Sequence, residues 1–241
     1  MKTPFRLAFT FAIISTLIST TLGADERGKL IFSDDFERKE SQEKTDEPGD
    51  GWGTNSKSRA KGNKQVDLKD GAMHIYMHAE ADHAVSVTQP MEFKDGTVEL
   101  KFMLEDKADS LGLNFADLQL KEVHAGHLFK VTASVDKVVI EDLKTGNMNL
   151  KYYEARKEKK LTKEDNAFIA SLRKTLPVKL ETGKWYGIRV QITGDKLAVA
   201  LDGKAVGEFS SKGFAHPTKR MLRLAVPKKA VVDEVRIFRG N

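Results

Sequence analysis

The chain has no cysteine in its 241 residues. That absence excludes disulfide frameworks, zinc–thiolate sites, thiol nucleophiles and iron–sulfur clusters. Long apolar runs are scarce: there is one, at the start, and no second of that kind. Charge of one sign does not dominate, with 40 Lys plus Arg against 35 Asp plus Glu. No continuous basic stripe is present, which argues against a nucleic-acid partner. There is no internal repeat and no second domain boundary. What is present, 40% hydrophobic and 31% charged residues, is the composition of a chain that folds in water.

The first 24 residues read as an address. Lys2 and Arg6 precede an apolar stretch from Leu7 to Ile18, and Ser19, Thr20, Thr21, Leu22, Gly23 and Ala24 follow. This is the three-part layout of a secretory signal peptide cleaved after Gly23 or Ala24. The apolar stretch is shorter than the ~20 residues that span a bilayer. Cleavage removes two cations and no acid, lowering the formal +5 charge by two. The expected product is secreted or periplasmic, monomeric, and has no membrane span. Export without disulfides points to a bacterium.

From Leu30 onward the dominant signal is period-two alternation broken by turns. Met73, Ile75 and Met77 alternate with His74, Tyr76 and His78 after Asp70-Gly71. Val85 and Val87 alternate with Ser86 and Thr88, and Pro90 closes that run. Val98, Leu100, Phe102 and Leu104 follow Asp95-Gly96. Ile188, Val190 and Ile192 lead through Gly194-Asp195 to Leu197, Val199 and Leu201, and Asp202-Gly203 turns again. About a dozen short strands, each with one apolar face, predict an all-β antiparallel sandwich of two sheets.

Two stretches interrupt the pattern. Residues 150–176 are rich in mixed charge, with Phe168, Ile169, Leu172 and Leu176 at helical spacing and a capping box from Thr162 to Asp165. The spacing predicts an inserted amphipathic helix of about three turns. Residues 46–64 are rich in Gly, Asn, Ser and Lys and read as a long surface loop around Trp52.

Five pieces occur in a recognisable order. They are Leu30-Ile31-Phe32-Ser33-Asp34-Asp35-Phe36, Asp70-Gly71-Ala72-Met73-His74-Ile75, Gly183-Lys184-Trp185-Tyr186-Gly187-Ile188-Arg189-Val190, Leu201-Asp202-Gly203-Lys204 and Val232-Asp233-Glu234-Val235-Arg236-Ile237-Phe238. Together they resemble the concanavalin A-like lectin/glucanase jelly roll. Within it they look closest to bacterial secreted domains of the family-16-glycosidase-like or 3-keto-disaccharide hydrolase-like kind. The resemblance implies a jelly roll over residues 25–241 and a carbohydrate partner. It also implies a structural calcium held by Asp233, with carbonyls near Asp35–Glu37 and at Gly71. The alternative for Asp233 is a turn cap or a pair with Arg236 or Arg189.

The resemblance does not carry a family-16 reaction. That chemistry needs Glu-x-Asp-x-x-Glu, or the version one residue shorter, on one strand, so that two carboxyls sit ~5–5.5 Å apart. Only Glu80-Ala81-Asp82 begins the pattern, and Ala84 and Val85 stand where its last Glu is required.

Candidate ligand-binding residues are therefore read from side-chain chemistry. His74, Tyr76 and His78 share a strand face and would line a groove if that sheet is the concave one. His83, His124 and His127 offer imidazoles for a metal or a general base. Trp52 either stacks on a sugar or folds back into the sandwich, and Trp185 reads as core. Lys219, Arg220 and Arg223 form either a cluster for an acidic sugar or sulfate, or a solvated strand edge. Three functions follow: non-catalytic glycan binding, a glycoside-cleaving enzyme of the 3-keto-disaccharide type built on the histidines, or a structural cell-surface interaction module.

Overall fold

The computed structural model describes residues 27–240. The expected signal segment, residues 1–24, lies outside them. Among the described residues no helix is long and apolar enough to cross a membrane.

Alternation becomes two antiparallel sheets. The first runs β13 (Lys204–Ser210), β12 (Lys196–Leu201), β11 (Trp185–Thr193), β6 (Gly96–Met103), β15 (Lys229–Arg239), β4 (Ala72–Tyr76) and β3 (Val66–Lys69). β1 (Lys29–Asp34) lies end to end with β4 along the same edge of the long β15. The second runs β10 (Arg173–Pro177), β9 (Lys137–Asp142), β8 (His127–Ser134), β7 (Ser110–Ala116), β14 (Lys219–Val226), β5 (Val85–Phe93) and β2 (Gly53–Thr54). Asp70-Gly71 and Asp202-Gly203 both take positive φ at two successive residues. That is the primed turn whose twist suits a hairpin.

The inner faces interdigitate into one core. On the second sheet Leu224, Leu113, Val131 and Ile140 lie side by side across β14, β7, β8 and β9. Behind them Phe115 stacks on Phe129 at 4.7 Å between centroids, with Phe93 edge-on at 6.4 Å. Phe214 meets Phe129 edge-on at 5.2 Å. All four are buried.

Four expectations need correction. Pro90 does not end its strand: β5 continues to Phe93, and at Pro90 it is hydrogen-bonded only to β14, because β2 covers just Val87 and Thr88. A proline is tolerated where a strand has a free side. Residues 46–64 are not simply a loop, since they contain β2 and a helical turn, α1 (Ser56–Arg59). Trp52 is in the core there, edge-on to Phe32 and donating Nε1–H to Asp34 at 2.7 Å. Asp34 also takes both terminal nitrogens of Arg38, at 2.6 and 2.9 Å. Trp185, in contrast, is 39% exposed.

The insert is two short helices, α2 (Leu150–Lys157) and α3 (Lys163–Ser171), and Leu176 belongs to β10. The Thr162–Asp165 capping box is present. Tyr153 of α2 stacks on His124 at 3.9 Å, and Val123 bridges Asn149. The insert thus packs at the end of the second sheet where β7 turns into β8.

Core and insert should separate in a mutation series. Phe115→Ala is expected to lower unfolding free energy by about 3–5 kcal/mol, and Thr162→Ala by only about 1 kcal/mol. Urea melts of both variants measure this; equal losses would mean that the insert is part of the cooperative core.

Candidate functional site

Alternation that buries one face of the second sheet leaves the other outside. Register aligns its outward residues in a row: Gly53, Thr88, Arg223, Asn114, Lys130, Glu141 and Arg173, one from each strand. The next row includes Ala225 and Gly112. Small side chains there leave the long ones room to stand proud. At the β8–β10 side, Lys107, Ser110, Lys130, Thr132, Glu141 and Arg173 contribute to a cleft of about 690 Å³. No residue of α2 or α3 lines it.

Arg223 is the centre of the row. Its guanidinium is half-buried: Nη1 lies 3.1 Å from Nδ1 and 3.2 Å from Nε2 of His127, which places it over the ring face, and Nη2 donates to the Ala125 carbonyl at 2.8 Å. His127 Nδ1 lies 3.1 Å from Asn114 Oδ1, and the amide oxygen accepts from Nδ1–H. Burial, then the charges of Arg223, His124 and Lys130, push the His127 imidazolium down to about 3. The ring is neutral at physiological pH.

The remaining charge of the row is partly compensated. Glu141 accepts from Lys130 at 3.0 Å and lies 3.9 Å from Arg173. The outward positions of the central strands β8, β7 and β14 carry no carboxylate.

The sequence candidates do not converge here. His74 and Tyr76 lie on the outer face of the other sheet, where His74 neighbours Val231. His78 is past the strand end, accepting from the Glu80 amide. His83 is exposed beside Asp82 at 3.0 Å. It precedes Val85, which pairs with Val226, whereas His127 aligns with Ala116, which pairs with Met221. Five strand residues separate those ends, roughly 17 Å. His124 is near His127 but stacked on Tyr153. Trp52, buried in the core, presents no ring for sugar stacking.

The expected cationic cluster is broken up. A bulge between Lys219 and Met221 turns Lys219 inward. It is fully buried, its ammonium held by the His216 carbonyl at 2.8 Å and the Lys94 carbonyl, and burial pushes it down to about 8. Arg220 pairs with Asp117 at 2.7 Å. Arg223 alone stays on the row. Asn114, Thr88 and Lys130 were not singled out from sequence. Their signal was available: each is a polar position alternating with buried apolar ones.

Among the calcium candidates the one close approach is Gly71 against Glu37; Asp35 accepts from the Glu37 amide, and Asp233 caps the turn at Glu234. A Cβ on Gly71 would fall 2.6 Å from Glu37 Oε1, and Gly71 has φ +71°. Asp233 sits at the β15 bulge, accepting from the Glu234 amide at 2.6 Å. Burial raises its carboxyl, and the charges of Glu234 and Glu37 add to that. Neither Asp233 nor Glu37 has a cationic partner within 4 Å among the described residues. Hard oxygens without a cation fit calcium. A second acidic group, Glu40, Glu43 and Asp67, is already filled by the Lys64 ammonium at 2.7–3.0 Å.

The His127 geometry has a pH consequence. Its folded-state value lies below the ordinary 6.5, so the unfolded chain takes the proton first. That contribution is complete above pH 6.5 and is lost as pH falls toward 3, at about 1.4 kcal/mol per pH unit inside the window. His127→Gln is expected to flatten stability between pH 6 and roughly 3.5 relative to the parent. Urea midpoints across that range measure it, and parallel curves would contradict a neutral buried imidazole.

No protein-family model matches this chain, and no curated protein matches it. Solved structures do. The laminarinase from Rhodothermus marinus superposes with a TM-score of 0.57 at 12% identity, over 88% of this chain and 97% of that one. The laminarinase from Flavobacterium sp. UMI-01 gives 0.55 at 11%, over 88% and 100%. SCLam, a non-specific endo-beta-1,3(4)-glucanase from family GH16, gives 0.55 at 13%, over 92% and 98%. Likeness over nearly the full length at such low identity is likeness of fold: the chain shares the two-sheet jelly-roll fold of these proteins.

Proposed function

We propose that the protein is an exported glycan-binding jelly roll that uses the outer row of the seven-stranded sheet and does not cleave its ligand. The observation that carries this reading is the polar row without a carboxylate pair. Retaining glycosidases need two carboxyls ~5–5.5 Å apart, and inverting ones ~6.5–9.5 Å apart. Here the row's one carboxylate, Glu141, is already engaged by Lys130. Glu80 and Asp82, the remnant of the catalytic pattern, lie in an exposed loop paired with Lys61 and Arg59. The solved structures of similar fold include enzymes named for glucan and laminarin breakdown, which supports a carbohydrate ligand. The histidine-based enzyme loses force because His83 stands far from His127.

Thr88 and Lys130 are the direct hydrogen-bonding groups for sugar hydroxyls, with Gly112 and Ala225 as the floor, while the buried Asn114 holds His127 beneath them. Binding should raise the melting midpoint, because a ligand that binds only the folded state stabilises it by linkage. Thr88→Val is expected to weaken oligosaccharide binding about tenfold, the effect of one lost hydrogen bond in a desolvated site. His74→Ala, on the opposite face, is expected to change nothing. Titration calorimetry measures both, and chromatography of the ligand after incubation should return it intact. Cleavage, or equal effects of the two substitutions, would overturn this reading.

Calcium is proposed for Asp233, Glu37 and the Gly71 carbonyl region, where it would tie the β15 bulge to the chain after β1. A calcium-dependent rise in melting temperature, reversed by EDTA and absent in Asp233→Asn, is the expected result. An unchanged melting temperature would remove the ion from the account.

A further inference from the structure

Arg223 is a charge that the fold leaves without a counter-charge. A guanidinium has five N–H donors in a rigid fork. The fork here meets only neutral acceptors, the His127 ring and the Ala125 carbonyl. No carboxylate lies within 4 Å of it among the described residues, although Lys and Arg elsewhere in them are commonly paired with acids. Its neighbour across the strand on one side is Thr88 and on the other Asn114. Both are neutral, and no acid on β7 or β8 reaches toward it.

Partial desolvation of an unpaired cation is costly. Burial acts on Arg223 in that direction, disfavouring its charged form. Removing an acid from such a position is the arrangement expected of a receptor whose anion comes from outside. The whole row points the same way. Arg223, Lys130 and Arg173 are set against Glu141 alone. Arg223 and Arg173 are four strand spacings apart, roughly 19 Å, so the positive excess extends along the face. Lys130 is held by Glu141 and Arg173 is near it, which leaves Arg223 as the uncompensated charge.

We infer that the ligand of this face is an anionic glycan, and that Arg223 receives its oxyanion, a uronate carboxylate or a sulfate. This rests on the glycan-binding reading and narrows it. The guanidinium fork matches the paired oxygens that either group presents. Asn114 holds the His127 ring through Nδ1–H, and the ring face and the Ala125 carbonyl together seat the guanidinium. His127 is thus a positioning residue for Arg223.

The test is calorimetric binding to three probes of equal length: a neutral β-glucan oligosaccharide, an oligogalacturonate and a sulfated oligosaccharide. Parent, Arg223→Met and Arg223→Lys proteins are compared at low salt. The parent is expected to bind one acidic probe at least about tenfold more tightly than the neutral one. Arg223→Met should abolish that preference, weakening the acidic probe far more than the neutral one, and Arg223→Lys should restore part of it. The preference should fade with added salt. Which acidic probe wins separates carboxylate from sulfate. Thermal melts establish that the variants are folded; should Arg223→Met not fold, Arg223→Lys and the salt series carry the comparison. Equal binding of neutral and acidic probes by the parent would overturn the inference and leave glycan binding standing. A preference that survives Arg223→Met would place the anion elsewhere and overturn it too. Binding of none of the three probes would overturn the glycan-binding reading itself.

Discussion

The outer face depends on what is locked behind it. Phe115 and Phe129 stack at 4.7 Å between β7 and β8, and Phe93 and Phe214 close around them. A strand alternates with period two, so a slip by one residue would carry Asn114 and Lys130 inward and Phe115 and Phe129 out to water. Burying these rings is worth several kcal/mol each way. That penalty, more than any contact on the surface, sets the register in which Thr88, Arg223, Asn114 and Lys130 form one row.

Given that register, the electrostatics follow from exclusion. Glu141 can neutralise Lys130 because it is on the next strand. No acid is next to Arg223, so its guanidinium is held by neutral groups. A histidine surrounded by Arg223, Lys130 and His124 stays neutral, since protonation would add a charge to a cationic, half-buried site. The same logic runs in reverse on the other sheet. There Asp233 and Glu37 have no cation within 4 Å among the described residues. The sandwich thus keeps an unbalanced positive group on one sheet and an unbalanced negative group at the β15 bulge of the other.

The fold was largely legible in the sequence because alternation and Asp-Gly turns are local signals. The sandwich, the hairpins at Asp70-Gly71 and Asp202-Gly203, and the Thr162 cap all follow from neighbours a few residues apart. The site was less legible. Histidines draw the eye, yet His74 and His127 fall on opposite outer faces, and which sheet a strand joins is a long-range fact. The bulge that buries Lys219 leaves no mark in the sequence. Trp52 looked like a loop residue because its partners, Phe32 and Asp34, come from a different strand. Arg223 stood in the sequence as one of three cations, and only the pairing of Lys219 and Arg220 isolates it.

The central claim is that the ligand meets the outer row of the seven-stranded sheet. The most direct measurement is a backbone amide NMR titration with an oligosaccharide that binds. Shifts should gather at Thr88, Asn114, Lys130 and Arg223. Shifts centred instead on Glu99, Arg189 and Arg236, the shallow pocket on the opposite sheet, would contradict the account.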